Sequence, residues 1–469
     1  MNSREFSAIV YSKKVKVSLF AMFPTIVFVL SAAIVTALYL TLKKNKPDTF
    51  IKVLKVLAVI YPIIGILRFL LSDSFVELVF NMADGYESYI RWAYYIGYAV
   101  LPCSVFFDVR LYRNIASFFS LPVAIVYTVT FEHSMSHFLA EGGGGIMLPV
   151  PLRYIYHIIE LTLALVIPVL MIMATGHRMK LDSAKEPLTA LLSIPFIMLI
   201  MMPSYIPQST VGFTSIPSGS FSVLHFSWIA LLILAIVAVY FFYRKRSLED
   251  KHALLVFLTI AQLFHTNSIF LRGFTLSRMP LQLCSIAAFF YFAAIIFKKQ
   301  KIFDFCYLVN IVGGAVAIVL ADFGSDAFSF WNLHYIYEHT FVMMVPILGL
   351  SLGVFPRVDK KSLKHALIIF AIYFVSSFIL GSVINAVSPE EGYPVNFFYM
   401  FDLERALDYV PFVGFAGAIH ILWGEFEMYP LLVGTIYVIF NLLIIGFYYM
   451  TRGIYRIRDR KCAKVEKFN

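Results

Sequence analysis

Long apolar runs separated by short polar loops dominate the chain. A helix needs about 20 apolar residues to cross the ~30 Å hydrocarbon layer of a bilayer. Runs of about that length predict thirteen spans, with approximate limits 17–42, 51–72, 92–107, 114–131, 152–175, 187–205, 222–243, 252–271, 279–298, 302–321, 332–354, 363–386 and 428–450. In lipid every backbone N–H and C=O must find its partner inside the segment, which a helix achieves and a lone strand does not. The expected fold class is therefore all-α, a polytopic transmembrane helix bundle. Asp108, Arg110 and Arg113 crowd the junction of the third and fourth spans. The first run, Val17 to Leu42, is too long for the core of a signal peptide and reads as a span, although Lys13, Lys14 and Lys16 precede it.

The polar loops carry a second pattern. Every other loop is rich in lysine and arginine: Lys43/Lys44/Lys46, Arg110/Arg113, Arg178/Lys180/Lys185, Arg244/Lys245/Arg246, Lys298/Lys299/Lys301 and Arg357/Lys360/Lys361/Lys364, followed by a basic tail. The loops between them, such as Asp73 to Glu87 and Glu390 to Glu427, are acidic or neutral. The positive-inside rule then predicts an outward N-terminus and a cytoplasmic C-terminus in the cell membrane. Arg272 and Arg278 fall on the outer side, either to hold anionic headgroups or to snorkel at a helix end.

Composition agrees with the pattern. The chain of 469 residues is 60% hydrophobic and 14% charged, against roughly 25% charged residues in soluble domains. Its net charge of +10 resides in the loops, so it reports topology and argues against a nucleic-acid partner. The four cysteines, Cys103, Cys284, Cys306 and Cys462, form no CxxC motif and no disulfide framework.

Two stretches resemble each other. Ile158–Leu170 and Ile336–Leu348 share Ile, Glu, Thr, Pro and Leu at five of thirteen positions. Pro102 precedes Glu160 by 58 residues, and Pro280 precedes Glu338 by the same number. Lys43–Ile60 and Arg244–Ile260 both read as a basic loop followed by an apolar helix. Six spans separate equivalent elements, an even number, so the expected repeat is parallel. It comprises an N-terminal six-span half (1–221), a seven-span half (222–451) and a basic cytoplasmic tail (452–469).

The second half holds the sharper constellation. Cys284 lies about one turn inside its span and His339 about two turns inside another, measured from the same side. A thiol becomes a strong nucleophile as thiolate, and an imidazole can take its proton. Ionisable residues within a span are costly and so are candidates for function. Glu338 points about 100° away from His339 around the helix and suits a neighbouring helix or headgroup. His334, Gln282, Arg278 and Asn396 are candidate supporting residues. Cys103, His157 and Glu160 form a candidate second site in the first half, where Cys103 and His157 are each displaced by about one turn. A structural first half and a packing role for each cysteine are the alternatives.

Other features point less far. Glu132-His133-Ser-Met-Ser-His137 has metal-like histidine spacing but no third ligand, which favours a solvated loop. Gly142–Gly145 lacks the following GK[ST] of a phosphate loop. Gly313-Gly314-Ala315 suits close helix packing. The long aromatic segment 387–427, with Tyr399, Asp402, Glu404 and Arg405, suits a lid or headgroup contact. His265 and Asn267 are polar candidates inside a span.

Four motifs carry a resemblance over about 222–451: Met279-Pro-Leu-Gln-Leu-Cys284, Gly313-Gly-Ala315, Tyr335-Ile-Tyr-Glu-His339 leading to Val345-Pro346-Ile347, and Asn396-Phe-Phe-Tyr-Met400. Here the chain resembles the YwaF-like bacterial integral membrane proteins. It is also similar to their eukaryotic relatives, the membrane acyltransferase that builds polyunsaturated ether phospholipids. The resemblance implies acyl transfer between membrane phospholipids and lysolipids by Cys284 and His339, with neither metal nor soluble cofactor. A transporter or lipid flippase, and a non-catalytic membrane scaffold, are the other readings of the same architecture.

Overall fold

The computed structural model describes residues 22–71, 86–132, 134–135, 148–180, 184–202, 216–272, 276, 279–321, 323, 326–327, 329–387, 395–409, 411–423 and 426–466. Helices account for most of them, as the run lengths predict. The chain separates into two compact units, Met1–Thr214 with Asn267–Phe274, and Ser215–Thr266 with Thr275–Asn469.

The first unit contains α1 (Met22–Lys43), α2 (Pro47–Leu71), α3 (Tyr86–Phe106), α4, α5 (Val150–Thr175) and α6 (Lys185–Met201). Helix α4 is built from Arg110–Ile115, a π-helical turn at Ala116–Ser120, and Leu121–Val129. Helix α2 packs on α3 and α5, and α3 on α6. Pro151 opens α5, where its missing N–H costs nothing. Gly176 closes the helix in the left-handed region (φ 64°), donating its N–H to the Ile172 carbonyl.

The second unit contains α7 (Val223–Tyr243), α8 (Leu248–Asn267), α9 (Leu283–Ile296), α10, α11 (Phe330–Ser351), α12 (Lys360–Val387), α13 (Leu403–Tyr409) and α14 (Pro430–Glu466). Helix α10 joins Gln300–Phe305, a π turn at Cys306–Asn310, and Ile311–Val319. Helix α11 is the hub, packed against α7, α9 and α10. The Ser329 hydroxyl caps its start by accepting from the Asn332 N–H at 3.2 Å. Two short antiparallel strands, β1 (Ile421–Trp423) and β2 (Phe426–Met428), pair Ile421 with Met428 and Trp423 with Phe426. They fall where an aromatic loop is expected from the sequence.

Among the described residues, eight helices are long and apolar enough by themselves to cross a membrane: Met22–Lys43, Pro47–Phe69, Val150–Thr175, Val223–Tyr243, Leu248–Phe270, Gln300–Val319, Lys360–Val387 and Pro430–Arg460. The other five expected spans are also helical, but shorter or more polar. Helix α6 has 17 residues and α9 has 14. Helix α3 carries Arg91, and α11 carries His334, Glu338 and His339.

The units share a local device. Helices α4 and α10 both run six α-helical residues, five π-helical residues and nine α-helical residues. The repeated proline spacing has no such counterpart. Pro102 lies inside α3, near its C-terminal end, whereas Pro280 precedes α9. Equal spacing in sequence thus joins positions at opposite ends of their helices.

Candidate active site

Cys284 is the second residue of α9, in its first turn. The first N–H groups of a helix have no acceptor within it, and no side chain caps this one. The backbone N–H groups of Cys284 and Ser285 face the Cys284 sulfur. Its Sγ stands 3.9 Å from Ser285 Oγ. Cys284 is half-buried as a residue, whereas Cys103 and Cys306 are buried.

What holds this turn in place comes from three sides. Gln282 donates its side-chain N–H to the Asn396 carbonyl at 2.8 Å and accepts the Phe398 N–H at 3.4 Å. Asn396 Oδ1 accepts the Phe401 N–H at 3.0 Å. These bonds clamp the segment 396–401 over the start of α9, with Phe398 and Tyr399 in the left-handed region at φ 56° and 59°. Bulky residues rarely adopt that conformation, and they keep it only where the surroundings impose it. The Phe398 ring supplies part of that hold by packing on Tyr373 and Phe374 at 5.5 and 5.3 Å. From the second side, the Tyr373 hydroxyl donates to the Leu281 carbonyl. From the third, Gly313 lets Leu283 pack close: a Cβ there would come within 2.5 Å of Leu283 Cδ2. Gly313 thus sets close packing at the residue beside Cys284, and Gly314 sets it against Val342 and Met343 of α11.

Helix α11 brings Glu338, rather than His339, to the thiol. The Glu338 carboxyl faces Cys284, Ser285 and Thr266. It is 5% exposed, and its Oε1 makes no hydrogen bond. Thr266 Oγ1 is likewise buried and unbonded, as are Gln262 and Thr259 on the same face of α8. His339 turns to its own helix, where Nδ1–H donates to the Tyr335 carbonyl at 2.8 Å and the ring lies over Tyr335 at 4.2 Å. That bond leaves Nε2 with a lone pair. No hydrogen bond or ring contact joins His339 to Cys284. His334 stacks on His265 at 5.1 Å and on Phe330 at 5.7 Å. Arg278 lies outside the described residues.

The first unit is arranged differently. Glu160 receives hydrogen bonds from Arg68 and from the Tyr98 hydroxyl, and stands 3.1 Å from His157 Nδ1. His157 Nε2 lies 2.7 Å from Ser134 Oγ, whose own proton goes to the Phe131 carbonyl. His157 is therefore the donor in that contact. Cys103 lies three residues before the C-terminal end of α3, while His157 lies in the N-terminal third of α5. The expected second site is thus a buried ion pair centred on Glu160, with His157 beside it. The signal for it in the sequence is Arg68, a lone arginine in an apolar run. Thr266 sits between His265 and Asn267 and carries no charge to betray it.

Among the described residues, no three His, Cys, Asp or Glu side chains could hold a metal ion. His133, His137 and Gly142–Gly145 lie outside those residues. No curated protein and no solved structure matches the chain. One family model does, over a stretch that includes Cys284, Glu338, His339 and the 396–401 clamp: residues 220–449 match the TMEM164 family.

Proposed function

We propose that this multi-pass membrane protein is a lipid acyltransferase with Cys284 as its nucleophile. The observation that carries the reading is the place of Cys284: half-buried, in an uncapped first helical turn, beside a buried carboxyl group. The TMEM164 match and the sequence resemblance to an ether-phospholipid acyltransferase support it. In this reading the sulfur attacks the acyl carbonyl of a phospholipid. An S–C bond forms, the ester C–O bond breaks, and a lysolipid leaves with a proton. The free first-turn N–H groups of α9 are placed to stabilise the oxyanion of the tetrahedral intermediate. A lysolipid hydroxyl then attacks the thioester. His339 Nε2 accepts that hydroxyl's proton across the bound lipid, the thioester C–S bond breaks, and the proton is relayed through the site to the departing thiolate.

On loop charge we place the site near the outer leaflet of the cell membrane, with the N-terminus outside and the C-terminus inside. The matching segments of α4 and α10 support reading the two units as a parallel repeat. The first of them is structural, its glutamate neutralised by Arg68.

The test uses the full chain in proteoliposomes with an acyl-labelled phospholipid and an unlabelled lysophospholipid. Cys284→Ala should abolish acyl exchange, and Cys103→Ala should leave it intact. Exchange that survives Cys284→Ala removes the reading.

A further inference from the structure

We propose that Glu338 is the proton acceptor of the Cys284 thiol, a catalytic residue in its own right. The inference rests on the acyl-transfer reading and assigns a step within it. Its ground is an internal comparison. Glu160 and Glu338 occupy the same place in the shared Ile-x-Glu-x-Thr pattern of α5 and α11. The first is satisfied by the Arg68 guanidinium and the Tyr98 hydroxyl, with the His157 ring beside it. Among the described residues no cation acts on the second, and its Oε1 is buried without a hydrogen bond. Its neighbours are a thiol and two hydroxyls, none of them charged.

An unpaired buried carboxyl group destabilises a fold, and a neutral side chain of the same shape would avoid that cost. A carboxyl group beside the one half-buried cysteine among Cys103, Cys284 and Cys306 has a use that repays it. His339 cannot serve in the same way from where it stands, since its ring is turned to Tyr335.

The step balances without a further reactant. As the S–C bond forms, the S–H proton passes to the Glu338 carboxylate. As the ester C–O bond breaks, the carboxylic acid gives that proton to the departing lysolipid oxygen. The carboxylate is restored and Cys284 carries the acyl group as a thioester. The first half-reaction therefore belongs to Glu338, and the acceptor half-reaction to His339.

The experiment follows the first half-reaction by itself. The full chain in proteoliposomes is mixed with acyl-labelled phosphatidylcholine, quenched in acid, and hydroxylamine-labile label on Cys284 is measured over time. E338Q should slow thioester formation by ~100-fold or more, the size expected for loss of a general base, with little change in KM. E338D keeps the carboxyl group but withdraws it, and should fall between E338Q and wild type. H339N should form the thioester at close to the wild-type rate and be slow only when a lysolipid acceptor is added. Thioester formation by E338Q within ~3-fold of wild type overturns the proposal, given the size of general-base effects. So does a first half-reaction lost in H339N and kept in E338Q. If E338Q is not monodisperse in detergent, E338D decides: a wild-type rate overturns the proposal, and a slowed rate with unchanged KM upholds it. Label absent from Cys284 in the wild type, or exchange surviving Cys284→Ala, would instead strike the acyl-transfer reading itself.

Discussion

A single side chain separates the fates of two glutamates that share the pattern Ile-x-Glu-x-Thr. Arg68 neutralises Glu160 in the first unit, and the second unit sets a threonine, a serine and a cysteine around Glu338. Gly65 makes the first arrangement possible, because the Tyr98 ring that reaches Glu160 lies flat where a Cβ would stand. Removing one partner of a buried ion pair leaves a charge without compensation, which costs about 3–5 kcal/mol. Arg68→Leu should therefore lower the thermal midpoint in detergent sharply, while Arg68→Leu combined with Glu160→Leu should recover much of the loss. A double variant no more stable than the single one would show that the pair's charges are not what its burial demands. The contrast was only half legible beforehand. The shared glutamates stand out in the sequence, but their partners come from other helices, Arg68 from α2 and Thr266 from α8. No spacing rule links them.

Helix ends show the same division on a larger scale. Helix α12 begins with a reciprocal cap: Asp359 Oδ1 accepts the Ser362 N–H at 2.9 Å, and Ser362 Oγ accepts the Asp359 N–H at 3.2 Å. The Ser362 N–H holds the Asp359 carboxyl below its usual range. A carboxyl lowered in the fold adds stability at pH values above its unfolded pKa, and that stability is lost as pH falls through the folded pKa. Asp359→Ala should cost about 1 kcal/mol near neutral pH, as for other N-caps. Asp359→Asn should keep the cap and make it independent of pH, so wild type should lose stability relative to D359N on acidification below pH ~4. Parallel melting curves for the two proteins would refute the assignment. This cap, the glycine end of α5 and the proline at its start follow from residue types at known positions. The π turns of α4 and α10 do not. Their sequences, Ala116-Ser-Phe-Phe-Ser120 and Cys306-Tyr-Leu-Val-Asn310, share no residue at any position, so packing selects the extra residue per turn.

At the scale of the whole molecule, the number of crossings remains tied to orientation. Among the described residues, eight helices meet the length and polarity demanded of a span by themselves. Eight crossings would return the chain to the side on which it began. Thirteen would not, and loop charge places the two ends on opposite faces. Fluorescent reporters fused to each end should therefore report opposite sides, with the C-terminal one cytoplasmic. That outcome requires an odd number of crossings, so that shorter or more polar helices such as α3, α9 and α11 also pass through the membrane. Reporters on one side would restrict the count to an even number.

Hydrophobicity and its period are properties of each segment alone, so the sequence by itself determined that the chain is helical, lies in a membrane and presents Cys284, Glu338 and His339 among the ionisable exceptions in its apolar runs. Which of these meet is a matter of helix rotation and of partners far along the chain. A helical side chain turns about 100° for each residue, so neighbours in sequence such as Glu338 and His339 point in different directions. Only the tertiary structure put the carboxyl group, and not the imidazole, against the thiol.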